Sequence, residues 1–425
     1  MTNCTVPPPI QRWLYRVFDR LPLHLHLDFW GQTTLDFNQD NLPTIALQIY
    51  HPGVLKTLFL SQDPLALVDA YLQGYIEVKG DLAPVIPIIQ QHSYAKINWM
   101  QSLRAWLTAC TLPSLPNLQR SNAPWKKLQF QTRRERDRVA VQHHYDTGNA
   151  FYKLWLDPQM VYSCAYFEHP QMNLQEAQEA KLERICRKLK LSPGDRLLDI
   201  GCGWGALMRW AVTRYGVKSH GITLSKEQYA YNQSWIAEAG LSDQIPVELL
   251  DYRDLPKEPT YDKIVSIGMV EHVGVQNYPI YFQSVLAALK PNGLFLNHGI
   301  TTRDRWQNTS LGERFIDRYI FPDGRLTRLS TRLDAAEAAG WEIVDVDNWR
   351  PHYAKTLRCW VENFEAAFEQ ITAQIGERRA QLWRIYLIGC ALGFENNQMG
   401  IYQTLLHRKT DAVWNLPMTR ANWLW

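Results

Sequence analysis

The sequence predicts an α/β protein: a parallel sheet with helices on both faces, plus a small N-terminal α+β domain. Three observations carry this. A strand-like run enters a glycine turn and then a helix at LLDIGCGWGAL (Leu197–Leu207). From His143 onward, strand-like and helical segments alternate, the pattern of a sheet covered on both sides. The 425 residues also exceed one ordinary compact core, and the first part of the chain is patterned differently.

In chain order, LHLHLDF (Leu23–Phe29) alternates with a period of two, the mark of a half-buried strand. TLDF (Thr34–Phe37) and ALQIY (Ala46–Tyr50) predict further strands, and PLALVDAYLQG (Pro64–Gly74) a helix with a glycine stop. Residues 1–110 are therefore read as the small domain. Residues 111–142 are read as a basic linker, with Arg120, Lys126, Lys127, Arg133, Arg134, Arg136 and Arg138 around Trp125 and Phe130. Such a stretch suits an anionic bilayer, and a solvated helix face explains it equally.

Residues 143–425 form the α/β part. Helix QEAQEAKLERICRKLKL leads to strand RLLDIG, helix ALMRWAVTRYG, strand KSHGITL and helix SKEQYAYNQSWIAEAG. Strands PVELLD and YDKIVSIG, helix PIYFQSVLAALK and strand GLFLNHG follow. Ligands of open α/β sheets sit at the carboxyl ends of the strands. Gly201, Thr223, Asp251, Glu271 and His298 each follow a strand in this reading and should line one edge.

Composition narrows the function. A net charge of +3 offers no global case for nucleic acid. Seven cysteines without a CxxC pair or a His/Cys cluster predict reduced thiols and no metal site. The start, MTNCTVPPPIQRW, lacks the pattern of a signal peptide. The longest apolar run, Ile385 to Phe394, is about half of the roughly 20 residues a membrane span needs. The expectation is a soluble or peripheral protein. Its 17 Trp and 20 Tyr suit lipid interfaces and cation binding.

Gly201, Gly203 and Gly205 allow close backbone approach to a ligand at a helix N-terminus. Gly201, Gly203 and Ala206 also fit a dinucleotide fingerprint, which expects an acid at the end of the second strand for the ribose. That strand ends GITLS instead, which weakens the nicotinamide-cofactor reading.

HYDTGN (His144–Asn149), VYSCAYF (Val161–Phe167), LLDIGCGWG, GITLSKEQ (Gly221–Gln228), DYRDL (Asp251–Leu255), VSIGMVEHVG (Val265–Gly274), PHYAKTL (Pro351–Leu357) and GCALGF (Gly389–Phe394) together resemble the cyclopropane-fatty-acyl-phospholipid synthases. They also resemble the related mycolic acid cyclopropane synthases and methyltransferases. The resemblance runs from about His143 nearly to the C-terminus and is weaker over the N-terminal domain. It implies a class I methyltransferase, Rossmann-like fold with S-adenosylmethionine as cofactor. It also implies methylene transfer to the cis double bond of unsaturated phospholipid acyl chains, forming a cyclopropane ring.

By that resemblance, Tyr162 and Ser163 touch the methionine end of the cofactor. Leu197, Leu198, Asp199, Ile200, Gly201, Cys202, Gly203, Trp204 and Gly205 form its floor. Thr223, Leu224, Ser225, Lys226, Glu227 and Gln228 reach the ribose, and Tyr252 and Arg253 border the adenine. A bound bicarbonate ion would remove the ring-closing proton, held by side chains of Glu271, His298 and Tyr353 and by backbone N–H groups of Cys164 and Ile300. Cys390 is carried over as a family active-site residue, although no step requires a nucleophilic thiol.

Bland readings stand beside these. Glu271 could simply complement a helix dipole, His298 could be a satisfied core histidine, Cys164 a small hydrophobe and Tyr353 a packing aromatic. Cys390 lies in an apolar helix, where unreactive thiols are common. Two departures bear on the product: Val270 stands where the family usually has an aromatic, and Gly299 where many members have Thr. The partners implied are unsaturated acyl chains and the cytoplasmic face of the inner membrane, bound peripherally, with room for a homodimer. Competing functions are a methyltransferase making methyl-branched lipids or methylating a small amine, and a non-catalytic lipid-binding protein.

Overall fold

The computed structural model describes residues 5–18, 23–37, 44–61, 63, 65–80, 82–84, 86, 99–116, 134–135, 147–304, 310–320, 326–412, 414 and 416–420. Most of the basic stretch, including Arg120, Lys126, Lys127, Arg133, Arg136 and Arg138, lies outside these residues, as do His143 to Asp146. Contacts divide the chain into two units.

The first unit comprises residues 1–124, 309–319 and 376–389. Its sheet has the order β2-β1-β3-β4, with β1 His24–Phe29, β2 Thr33–Phe37, β3 Thr44–Ile49 and β4 Ile76–Lys79. β1 pairs antiparallel with β2 and parallel with β3. The predicted alternation along β1 is realised: Leu25, Leu27 and Phe29 are buried with Ile10 and Leu14 of helix Pro8–Phe18 and Ala105 and Ala109 of helix Trp99–Thr111. The segment 309–319 joins this unit chemically. Tyr319 donates to the buried Asp69 at 2.8 Å, and Arg318 donates to Asp63 at 3.0 Å.

The second unit comprises residues 125–308, 320–375 and 390–425. Its seven strands are β5 Arg196–Ile200, β6 Lys218–Thr223, β7 Val247–Leu249, β8 Tyr261–Ile267, β9 Leu289–Thr302, β10 Trp341–Asn348 and β11 Met399–Arg408. Their order is β10-β11-β9-β8-β5-β6-β7. β5 to β9 are mutually parallel, as the alternation predicts. β11 departs from that reading, since it runs antiparallel to β9 and β10. It enters between them after helix Glu377–Glu395 and is buried along most of its length, which removes the polar alternation that marks a strand.

Both faces of the sheet are covered. Leu197, Leu294, Leu296 and Leu405 point into one apolar core, and their neighbours Leu198, Phe295 and Leu406 into another. Side chains of adjacent strand residues face opposite ways, so the strand ends converge at one edge between the two layers. Among the described residues no helix is long and apolar enough to cross a membrane.

Candidate active site

A cavity of about 160 Å3 opens at the carboxyl ends of β5, β6 and β7 and the loop after β8. Gly201, Gly203 and Gly205 have φ of +81°, +55° and +82°, which side chains with a Cβ seldom adopt. The turn is pinned from behind. Gly201 N–H and Cys202 N–H donate to Ile222 O at 2.9 and 3.1 Å, and Gly203 O accepts from Asn232 Nδ2 at 2.7 Å. Thr223 Oγ1 donates to Gln228 Oε1 at 2.8 Å and accepts from Ser225 N–H. Farther along the rim, Arg253 forms a fork on Asp251, with Nε–Oδ1 at 2.8 Å and Nη2–Oδ2 at 2.7 Å.

The opposite wall holds a buried acid and a buried base. Lys181, on helix Leu174–Lys188, donates to Ser163 Oγ at 3.0 Å. Burial pushes Lys181 down to about 8, against the pull of Asp157, Cys164 and Asp199. Burial lifts Asp199 to about 7, and Lys181 opposes the rise. Gln178, one turn earlier, holds Ser163 O at 2.9 Å. Tyr162 brings an aromatic nest to the cavity: its ring lies 5.5 Å from Tyr152, 5.3 Å from Trp155 and 5.2 Å from Trp360. Clustered faces of this kind stabilise cations.

The expected anion holders form a second group, none of which lines the cavity wall itself. Glu271 lies in the short helix Val270–Val273 after β8. Its Oε1 accepts from Ile300 N–H at 2.6 Å, while Oε2 has no hydrogen-bond partner among the described residues. Burial raises Glu271, and Arg332 and the Ile300 N–H pull it back. His298 is 1% exposed, in β9 beside Ile267 at the end of β8. Burial, then Lys181, Lys188 and Arg332, hold His298 neutral.

Its tautomer follows from a relay. Lys188 donates to Gln403 Oε1 at 2.8 Å, so Gln403 Nε2 is the donor facing His298 Nδ1 at 3.2 Å. The proton then sits on His298 Nε2, a buried donor without a hydrogen-bond partner among the described residues. Trp349 joins the remaining members. Its carbonyl accepts from Tyr353 N–H at 3.0 Å and from Cys164 Sγ at 3.8 Å, and its ring meets His298 edge-on at 5.1 Å. Tyr353 packs on Phe394 at 4.6 Å and Trp360 at 5.9 Å.

Residues 132–404 match the family model described as mycolic acid cyclopropane synthetase. The chain belongs to that family. It is 37% identical to a probable fatty acid methyltransferase of Pseudomonas putida, over 98% of this chain and 98% of that one. It is 38% identical to the cyclopropane-fatty-acyl-phospholipid synthase of Escherichia coli K12, over 64% of this chain and 69% of the relative. Among solved structures, mycolic acid cyclopropane synthase CmaA1 complexed with SAH and CTAB matches with a TM-score of 0.61 and 38% identity, covering 64% of this chain and 98% of that one. Coclaurine N-methyltransferase bound to N-methylheliamine and SAH, 19% identical with a TM-score of 0.55 over 65% of this chain and 88% of that one, shares the fold. This mycolic acid cyclopropane synthetase family member thus has the class I methyltransferase fold, and its family uses S-adenosylmethionine.

Not every residue carried over by resemblance reaches the cavity of this family member. Tyr162, Ser163, Asp199 to Trp204, Thr223, Leu224, Gln228, Tyr252 and Arg253 line it. Leu197 and Leu198 are buried in the two apolar cores, and Gly205 and Ser225 cap helices. Lys226 and Glu227 are exposed. The Ile300 N–H is already donated to Glu271. Cys164 is a protonated thiol, raised well above its ordinary value by burial. Cys390 is half-buried in helix Glu377–Glu395. Sequence reasoning missed Gln178, Lys181, Lys188, Asn232, Arg332 and Gln403.

Proposed function

We propose that this protein transfers the methyl group of S-adenosylmethionine to the cis double bond of an unsaturated phospholipid acyl chain and closes a cyclopropane ring. The observation that carries the reading is the pair of unmatched polar atoms in the second group: a donor, His298 Nε2, and an acceptor, Glu271 Oε2. A bicarbonate ion, which has an O–H and negatively charged oxygens, carries the complementary group for each.

The cofactor supplies an electrophilic methyl on a sulfonium, and bicarbonate supplies a base for one proton of that methyl after transfer. The rest falls to the chain. The turn at Gly201–Gly203 and the wall formed by Ser163, Lys181 and Asp199 hold the cofactor. Lys181 and Asp199 offer a zwitterionic end both of its counter-charges. Tyr162, packed on Trp155 and Trp360, would present an aromatic face to positive charge in the cavity. His298 would donate to the anion and Glu271 would accept from it, fixing its orientation. The electron pair of the broken C–H bond closes the ring, and one proton is released overall. We place the protein peripherally at the cytoplasmic face of the inner membrane, where its basic stretch meets anionic headgroups.

A second reading, methyl-branched acyl chains, is favoured by the small residues at Val270 and Gly299. The name of the nearly full-length relative supports it as well. One assay separates the two. Vesicles of unsaturated phospholipid are incubated with S-adenosylmethionine, and the lipids are analysed by mass spectrometry and proton NMR. Gain of one CH2 with loss of the alkene and appearance of ring protons is expected, and Glu271→Gln and His298→Ala should each reduce it at least about a hundredfold. A branched methyl supports the second reading, and unlabelled lipid rejects both.

A further inference from the structure

Gly299 stands where a side chain has no room. A Cβ there would lie 2.3 Å from Val270 Cγ1 and 2.6 Å from Arg332 Nη1. The space beside the strand is taken by a guanidinium: Arg332, in helix Leu329–Ala338, is 2% exposed. A cation removed from water is destabilising unless its N–H groups are matched and a counter-charge is near. Arg332 Nη2 donates to Ile300 O at 2.6 Å, while Nε and Nη1 have no hydrogen-bond partner among the described residues. Ile300 is therefore held on both sides, by Arg332 at its carbonyl and by Glu271 at its N–H.

We propose that Arg332 is a positioning residue for Glu271. This buried counter-charge locks Ile300 in place and keeps the carboxylate ionised, with Oε2 free to meet the anion. Gly299 has no side chain because Val270 and the guanidinium lie against it. The inference rests on the reading of Glu271 given above. Among the described residues Arg332 is the charged side chain that acts on Glu271, and it acts also on His298 and Tyr281. Lys181, Lys188 and Asp347 also act on His298, and the remaining titratable groups nearby, among the described residues, are uncharged near neutral pH. Burial lowers His272 to about 4, holds His298 neutral and raises the Tyr281 phenol.

The test uses the full-length chain with Arg332→Met, the charge-retaining Arg332→Lys, and Arg332→Gln in place of the Met variant if that does not fold. Infrared spectra of chains labelled with 13C-carboxyl glutamate, minus those of Glu271→Gln, isolate the Glu271 band across a pH titration. Removing the cation should move its ionisation to higher pH, and Arg332→Lys should bring it back toward wild type. In the lipid assay kcat of Arg332→Met should fall about tenfold at about pH 6 and about twofold or less at about pH 8.5, with KM for S-adenosylmethionine unchanged. A Glu271 band that titrates identically in wild type and Arg332→Met overturns the proposal, as does an equal loss of rate at every pH. If wild type leaves lipids unlabelled, the functional reading fails, while the infrared titration still decides the coupling.

Discussion

Gln403 decides what His298 can do. A neutral imidazole carries its proton on either nitrogen, and a buried one is useful as a donor only if the choice is made for it. Lys188 occupies Gln403 Oε1, which leaves the amide nitrogen to face His298 Nδ1. Lys188 is itself anchored by Asp347 at 2.8 Å. Gln403→Leu keeps the volume but frees the tautomer, so kcat for lipid methylation should drop about tenfold or more with cofactor affinity unchanged. Equilibrium dialysis of S-adenosylmethionine beside single-turnover rates checks this; a parallel loss of both would point to collapse of the site instead. None of this was visible in the sequence. Gln403 lies in a buried strand far along the chain, and only the register of β9 with β11 sets it opposite His298.

At the scale of elements, the strands and helices around the glycine turn were legible because each signal is local. Apolar runs give β5, β6 and β8, Ser225 caps the next helix, and Asn173 forms a capping box at the start of helix Leu174–Lys188. β10 and β11 were not read. Their polarity is set by their neighbours in the sheet, so period and propensity carry little information. The polar cargo of helix Leu174–Lys188 did leave a trace: Gln178, Lys181 and Lys188 fall on the same buried stripe as Leu182 and Ile185. Polar residues on an otherwise apolar stripe need buried partners, and that signal could have found all three. The glycine turn can be tested as an element. A Cβ on Gly205 would sit 2.2 Å from Asn232 Oδ1 and 2.7 Å from Trp235 Cζ2, at a positive φ. Gly205→Ala should destabilise the protein by about 1–3 kcal/mol, read from urea unfolding, and should weaken cofactor binding because Asn232 also holds Gly203.

For the whole molecule, contacts divide the chain into two units, each assembled from segments far apart in sequence. Period-two alternation marks the N-terminal sheet, whereas nothing in residues 309–319 or 376–389 announces that they pack with it. Their partners, such as Asp69 for Tyr319, lie 250 positions away. Membrane attachment also belongs to this scale. If the basic stretch meets anionic headgroups, cosedimentation of the full chain with vesicles rich in anionic phospholipid should exceed that with zwitterionic ones and fade at high salt. Each of Arg133→Gln, Arg136→Gln and Arg138→Gln should then weaken binding about fivefold, the equivalent of about 1 kcal/mol. Equal binding to both kinds of vesicle would exclude the basic stretch as the anchor. The interleaving of the two units also bears on biosynthesis. A protein emerging from the ribosome ordinarily completes its leading domain first, but here the leading unit is complete only once residues 376–389 have been translated. Nascent chains halted before residue 376 should therefore expose an unfinished first unit to proteases and chaperones.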